Sequence, residues 1–149
     1  MQPLWTCPRC GRRFANRNQT HTCGTAKLED HFAGRDPSVV ATFRRLVAVA
    51  RRSGPVTLIP EKTRIALQVR MSFAALTLRL HWVDGHVVLA RRRDSPRFRR
   101  IDVYSPGNQV HVFRLHSPDE VDAEVESWFA EAYQVGAQRH LSARTARRG

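Results

Sequence analysis

Between residues 56 and 116 the apolar positions fall in short runs, and no gap between runs is long enough to hold a crossover helix. Parallel neighbours need a linker of about a dozen residues or more, so strands in this stretch must pair antiparallel. Val56 to Ile59 forms a first short extended segment. Ile65, Leu67 and Val69 then alternate with Ala66, Gln68 and Arg70, the period of a strand buried on one face. Leu76, Leu78, Leu80 and Trp82 repeat the alternation against Thr77, Arg79 and His81. Asp84-Gly85 reads as a two-residue hairpin turn, with His86 to Arg91 returning from it. A second hairpin runs from Phe98 to Tyr104, turns at Ser105-Pro106-Gly107-Asn108 and returns from Gln109 to His116.

Helices flank this stretch. Asp36-Pro37 supplies an N-cap and a proline at the first helical position, where its missing N–H is harmless. Val39, Phe43, Leu46, Val47 and Ala50 follow on one face, and Gly54-Pro55 ends the segment. Ser117-Pro118-Asp119-Glu120 reads as a capping box opening a second helix, with Val121, Val125, Trp128, Phe129 and Ala132 as its apolar face and Gly136 as its stop. The fold class is therefore α+β. We expect an antiparallel sheet of five to six strands, flanked by two helices on one face and preceded by a small zinc-binding knuckle. The division expected is a zinc-ribbon-like segment at 1–25, a connector at 26–35, the α+β domain at 36–140 and a flexible basic tail at 141–149.

Hydrophobic residues make up 42% of the chain, enough for a core without disulfides. No apolar run approaches the ~20 residues of a membrane span, and MQPLWTCPRC does not read as a secretory signal. A cytoplasmic protein is the expectation.

The three cysteines lie within the first two dozen residues. Cys7-Pro8-Arg9-Cys10 sets two sulfurs on one tight turn, the arrangement for a shared tetrahedral metal. His21-Thr22-Cys23 brings an imidazole and the third sulfur. The expected ligands of one structural Zn2+ are Cys7, Cys10, His21 and Cys23, with His31 as the rival fourth ligand. A redox reading of the C-x-x-C pair lacks its strand-to-helix context. So small a unit would draw its folding free energy from the metal.

Net charge is +12, almost all of it arginine, since Lys27 and Lys62 are the only lysines. The excess favours nucleic acid as a partner, although GC-rich codon usage would yield the same composition. Arg91, Arg92, Arg93, Arg97 and Arg99 straddle an expected hairpin end, where they would project from a sheet edge towards phosphates. Phe98 and Tyr104 would offer stacking surfaces, and Arg12 and Arg13 would extend the patch from the zinc unit. Glu61, beside Lys62 and Arg64, reads as a turn with a surface ion pair, because no second carboxylate stands in register with it. His81, His86, His111 and His116 fall on strands without the spacing of a second metal site.

The run WTCPRCGRRFANRNQTHTCG, then HFAGR, then PVTLIPEKTRIALQVRMSFAALTLR, resembles a bacterial family catalogued as domain of unknown function 5655. Some members carry a loose label as transport proteins, at odds with the missing membrane span. The resemblance covers the cysteine segment, both helices and the strands between, and it implies fold and zinc segment, not mechanism.

No P-loop, dinucleotide fingerprint or nucleophile elbow is present. The expectation is a non-enzymatic zinc-containing binding module that contacts nucleic acid through its arginines. The alternative is a small-molecule or protein-partner domain with a pocket between sheet and helices.

Overall fold

The computed structural model describes residues 3–8, 13–15 and 27–139. Near the N-terminus β1 (Trp5–Thr6) pairs antiparallel with β2 (Arg13–Phe14). Two helices follow, α1 (Leu28–Phe32) and α2 (Pro37–Arg51). Six strands come next: β3 (Thr57–Pro60), β4 (Ile65–Gln68), β5 (Ser72–Leu78), β6 (Val83–Leu89), β7 (Phe98–Ser105) and β8 (Asn108–Leu115). The last element is α3 (Ala123–Gly136). All six strands join one antiparallel sheet in the order β3-β4-β5-β6-β8-β7. The class is α+β, as periodicity implies, with three helices where two were expected.

The core lies between the sheet and the two long helices. Val39, Phe43, Leu46, Val47 and Ala50 form the buried stripe of α2, and Val125, Trp128, Phe129, Ala132 and Tyr133 that of α3. They meet Ile65, Leu67, Leu76, Leu78, Val87 and Phe113 from the sheet. Each large side chain fully withdrawn from water contributes roughly 1.5–3 kcal/mol, and the single contiguous cluster makes these contributions mutually dependent.

Four local readings are corrected by this packing. Asp84-Gly85 is not a turn but part of β6, and the chain reverses upstream, where the Arg79 N–H donates to the Trp82 carbonyl at 2.8 Å. The glycine serves close packing: a Cβ on Gly85 would lie 2.8 Å from both Leu76 Cδ2 and Phe113 Cζ. The aspartate takes donors from Arg79, Trp82 and Arg114. Leu80, expected on a strand, sits 58% exposed in the turn.

Ser117-Pro118-Asp119-Glu120 does not open the second helix. Pro118–Glu120 makes one 3₁₀ turn, and α3 starts at Ala123, capped by the Asp122 carboxylate, which accepts from the Val125 N–H at 3.2 Å. Val121 is fully buried, and its backbone leaves the helical region where it is seated. β4 is buried on both faces, not one, since Gln68 on its outer side donates to the Arg13 carbonyl and so ties the β1–β2 ribbon to the sheet. The segment 90–97 is no hairpin end either: β6 and β7 run parallel on either side of β8, so this stretch crosses back along β8, where the Arg93 N–H donates to His111 Nε2.

Candidate ligand-binding cleft

Residues 26–35, expected as a connector, contain α1, whose Leu28 and Phe32 pack on the main core and whose His31 is buried. His31 Nε2 lies 2.7 Å from the Glu61 carbonyl. A carbonyl only accepts, so Nε2 carries the hydrogen and Nδ1 is left as the ring's other polar atom. This bond joins α1 to the loop between β3 and β4, which the Glu61 N–H closes on the Arg64 carbonyl at 2.8 Å.

After α1 the chain turns sharply at Gly34, whose φ of +72° favours glycine. The turn delivers Arg35 to the end of β5. Its Nε donates to the Leu78 carbonyl at 3.1 Å and its Nη1 to the Ala33 carbonyl at 2.7 Å. Next to it the Asp36 N–H donates to the Leu80 carbonyl at 3.0 Å. The Asp36 side chain does not cap α2; it pairs with His81 Nδ1 at 2.7 Å. The turn between β5 and β6 is thus stitched to the chain that follows α1.

These three segments enclose a cleft of about 570 Å³, lined by Asp30, His31, Arg35, Glu61, Lys62 and Arg79 among others. The volume is in the range of small-molecule sites. Two of its charges are already matched. Glu61 lies 3.6 Å from Arg64, and Arg79 lies 3.1 Å from Asp84. Burial works to raise the Asp84 carboxyl, but donors from Arg114, Arg79 and Trp82 outweigh it and hold the group below the usual carboxylate range. Sequence reading noticed HFAGR and PEKTR separately. It had no means of placing them on facing walls; between sheet and helices, where it expected a pocket, a smaller hollow is lined by Met71, Ser72 and Val88 with Val135 and Gly136 of α3.

The arginines expected to grip nucleic acid are otherwise engaged. Arg91 makes a two-pronged pair with Glu131 at 3.1 and 2.9 Å, and Arg93 reaches Ser127 at 2.7 Å and Glu131 at 3.5 Å. Arg97 contacts Asp122, Glu124 and the Glu120 carbonyl. Arg92 pairs with Asp94. The carboxylates of α3 thus draw most of this loop back onto the domain. Arg99 is exposed and makes no ion pair among the described residues. Phe98 packs against Trp128 at 4.4 Å between ring centres, whereas Tyr104 is 72% exposed.

Of the expected zinc ligands only Cys7 lies within the described residues, and it is buried. Cys10, His21 and Cys23 lie outside them, as does Arg12. Among the described residues no three His, Cys, Asp or Glu side chains gather to hold a metal ion, and no helix is long and apolar enough to cross a membrane. Arg13 is exposed on β2.

The model of a family described as Domain of unknown function (DUF5655) covers residues 28–136, from the first residue of α1 to the last of α3. The cysteine segment lies outside it. No curated protein and no solved structure matches the chain.

Proposed function

The chain belongs to the DUF5655 family, and because the matched residues build every wall of the cleft, we infer that the family domain is a small-molecule-binding module. Its ligand enters between α1, the β3–β4 loop and the β5–β6 turn. The observation that carries this reading is the His31–Glu61 bond: a buried imidazole from one segment is anchored on the main chain of another in the lining of an open cleft. Preorganised polar groups around a concave space are what a selective site requires. A thermal-shift screen of the full chain against a small-molecule library tests it. A true ligand raises the melting temperature in proportion to its binding, and His31→Ala abolishes the rise. Stabilisers that act equally on this variant would count against the cleft.

The cysteine segment is proposed to hold one structural Zn2+ through Cys7, Cys10, His21 and Cys23. The donor set suits zinc, and the Gln68 bond to the Arg13 carbonyl would couple the loaded segment to the sheet. Elemental analysis of the purified chain should find one zinc per molecule, lost in Cys10→Ser. Nucleic acid is the weaker partner reading. It is favoured by the +12 charge and by exposed Arg99 and Tyr104, and opposed by the ion pairs that occupy Arg91, Arg92, Arg93 and Arg97. Anisotropy titrations across salt decide it, since phosphate contacts impose a steep salt dependence.

A further inference from the structure

We propose that the ligand of this cleft is a small organic anion, a carboxylate or a phosphate monoester, bound between Arg35 and Lys62; the proposal rests on the cleft reading above. Many arginines of this domain are matched to carboxylates: Arg52 to Glu126, Arg64 to Glu61, Arg79 and Arg114 to Asp84, Arg91 to Glu131, Arg97 to Asp122 and Arg100 to Asp102. Of the two arginines that line the cleft, Arg79 is so matched and Arg35 has no carboxylate partner among the described residues. It is half-buried, and its guanidinium bonds only the Leu78 and Ala33 carbonyls among the described residues. Two of the five guanidinium N–H groups are used in this way, and three remain.

A cation removed from water without a counter-charge costs free energy, so a guanidinium fixed by neutral oxygens at a cleft is poised for an anion. Lys62, in the β3–β4 loop beside Thr63, adds a second cation of the cleft with no ion pair among the described residues. The cleft's own carboxylates do not cancel these charges. Glu61 is turned to Arg64, and Asp30, exposed at the rim, pairs with neither Arg35 nor Lys62. His31 lines the same cleft. Its Nε2–H is committed to Glu61, so Nδ1 offers a lone pair to a hydroxyl or amine donor. The site therefore matches an acid that also bears a hydrogen-bond donor, such as a hydroxy acid, an amino acid or a phosphorylated alcohol.

Amide-resolved NMR titration of the full chain tests this at constant ionic strength. The probes are inorganic phosphate, lactate and, as a neutral counterpart, lactamide. Saturable shifts confined to residues 33–36, 61–64 and 78–80 with phosphate or lactate are expected. The affinity should fall about tenfold in Lys62→Gln, the loss of one charge-assisted contact, and further in Arg35→Gln, while Arg99→Gln changes nothing. Lys62 is exposed, so its variant remains informative if Arg35→Gln disturbs the fold. A response to phosphate but not lactate assigns the phosphate class, and the converse assigns the carboxylate class. Shifts in the cleft with lactamide alone would overturn the anionic ligand while leaving the cleft reading intact. Anion shifts that are unchanged in Lys62→Gln and in a folded Arg35→Gln overturn the proposal, and silence of the cleft to every probe overturns both.

Discussion

His111 Nε2 accepts a hydrogen bond from the Arg93 N–H at 2.9 Å, and the same ring places Nδ1 2.9 Å from the Gln109 carbonyl. One ring nitrogen must therefore be bare and the other protonated, so this core imidazole is neutral in the folded chain. Burial lowers its pKa, against the opposing pull of the Gln109 carbonyl and Glu131. His86, on the outer face of β6, is pushed from 6.5 down to about 4, first by burial and then by Arg64. Both folded values lie below the unfolded one, so the unfolded chain takes up more protons as pH falls through 6.5. Stability is full above that value and declines below it, by about 1.4 kcal/mol per pH unit for each histidine, down to its folded pKa. Urea midpoints at pH 7.5, 6 and 5 should fall in that order. A midpoint that is flat from 7.5 to 5 would contradict the neutral assignment.

Gly85→Ala should destabilise the domain by about 1–3 kcal/mol, because the new methyl meets Leu76 and Phe113 at once inside a filled core. Gly34→Ala should cost about 1 kcal/mol through backbone strain alone, since nothing lies within 4 Å of the added carbon. Equal losses at the two positions, read from urea midpoints, would mean that backbone conformation and not packing governs both.

Replacing His31 by Ala leaves the Glu61 carbonyl without its donor, at a cost of about 1–3 kcal/mol. The damage should stay local. Hydrogen exchange at Glu61, whose N–H closes the β3–β4 loop, should quicken, while the amides of α3 keep their protection until global unfolding.

Glu131→Gln should release Arg91 and Arg93 from α3 and raise affinity for single-stranded RNA several-fold at low salt, with a steeper salt slope. Wild-type binding that already loses its salt dependence in Arg91→Ala would show that these arginines reach phosphate despite their partners.

Long alternation made the sheet legible, and the pairs Phe98 to Tyr104 and Gln109 to His116 fall within one residue of β7 and β8. Readings failed where one residue type serves two purposes. Asp-Gly marks a turn by local conformation, yet here Asp84 also takes Arg114 and Gly85 makes room for the Phe113 ring, both from a strand about 30 residues on. Asp36 looks like a cap because Pro37 follows it, but an imidazole 45 residues away competes for its carboxylate. Five-residue α1 carries too little periodicity to announce itself, and the cleft depends on it. The partners of the arginine patch were hidden for a related reason: residues 91–100 show their charge, whereas Glu131 and Asp122, which pair with Arg91 and Arg97, lie 40 and 25 positions further on. Arg35 escaped notice because its place in the cleft, and its carbonyl partners there, are set by segments some 43 residues apart.

The sheet order has a consequence for how the chain assembles. β8 inserts between β6 and β7, so β6 must keep one edge open until the C-terminal hairpin arrives. Strands β3 to β6 form a simple meander that can nucleate from neighbouring segments, while β7 and β8 zip together before docking as a unit. The crossing loop at 90–97 is then the seam between two halves of the sheet. A chain cut there would yield two fragments, each ending in an unsatisfied edge that only the other half covers, and they should reconstitute the domain on mixing.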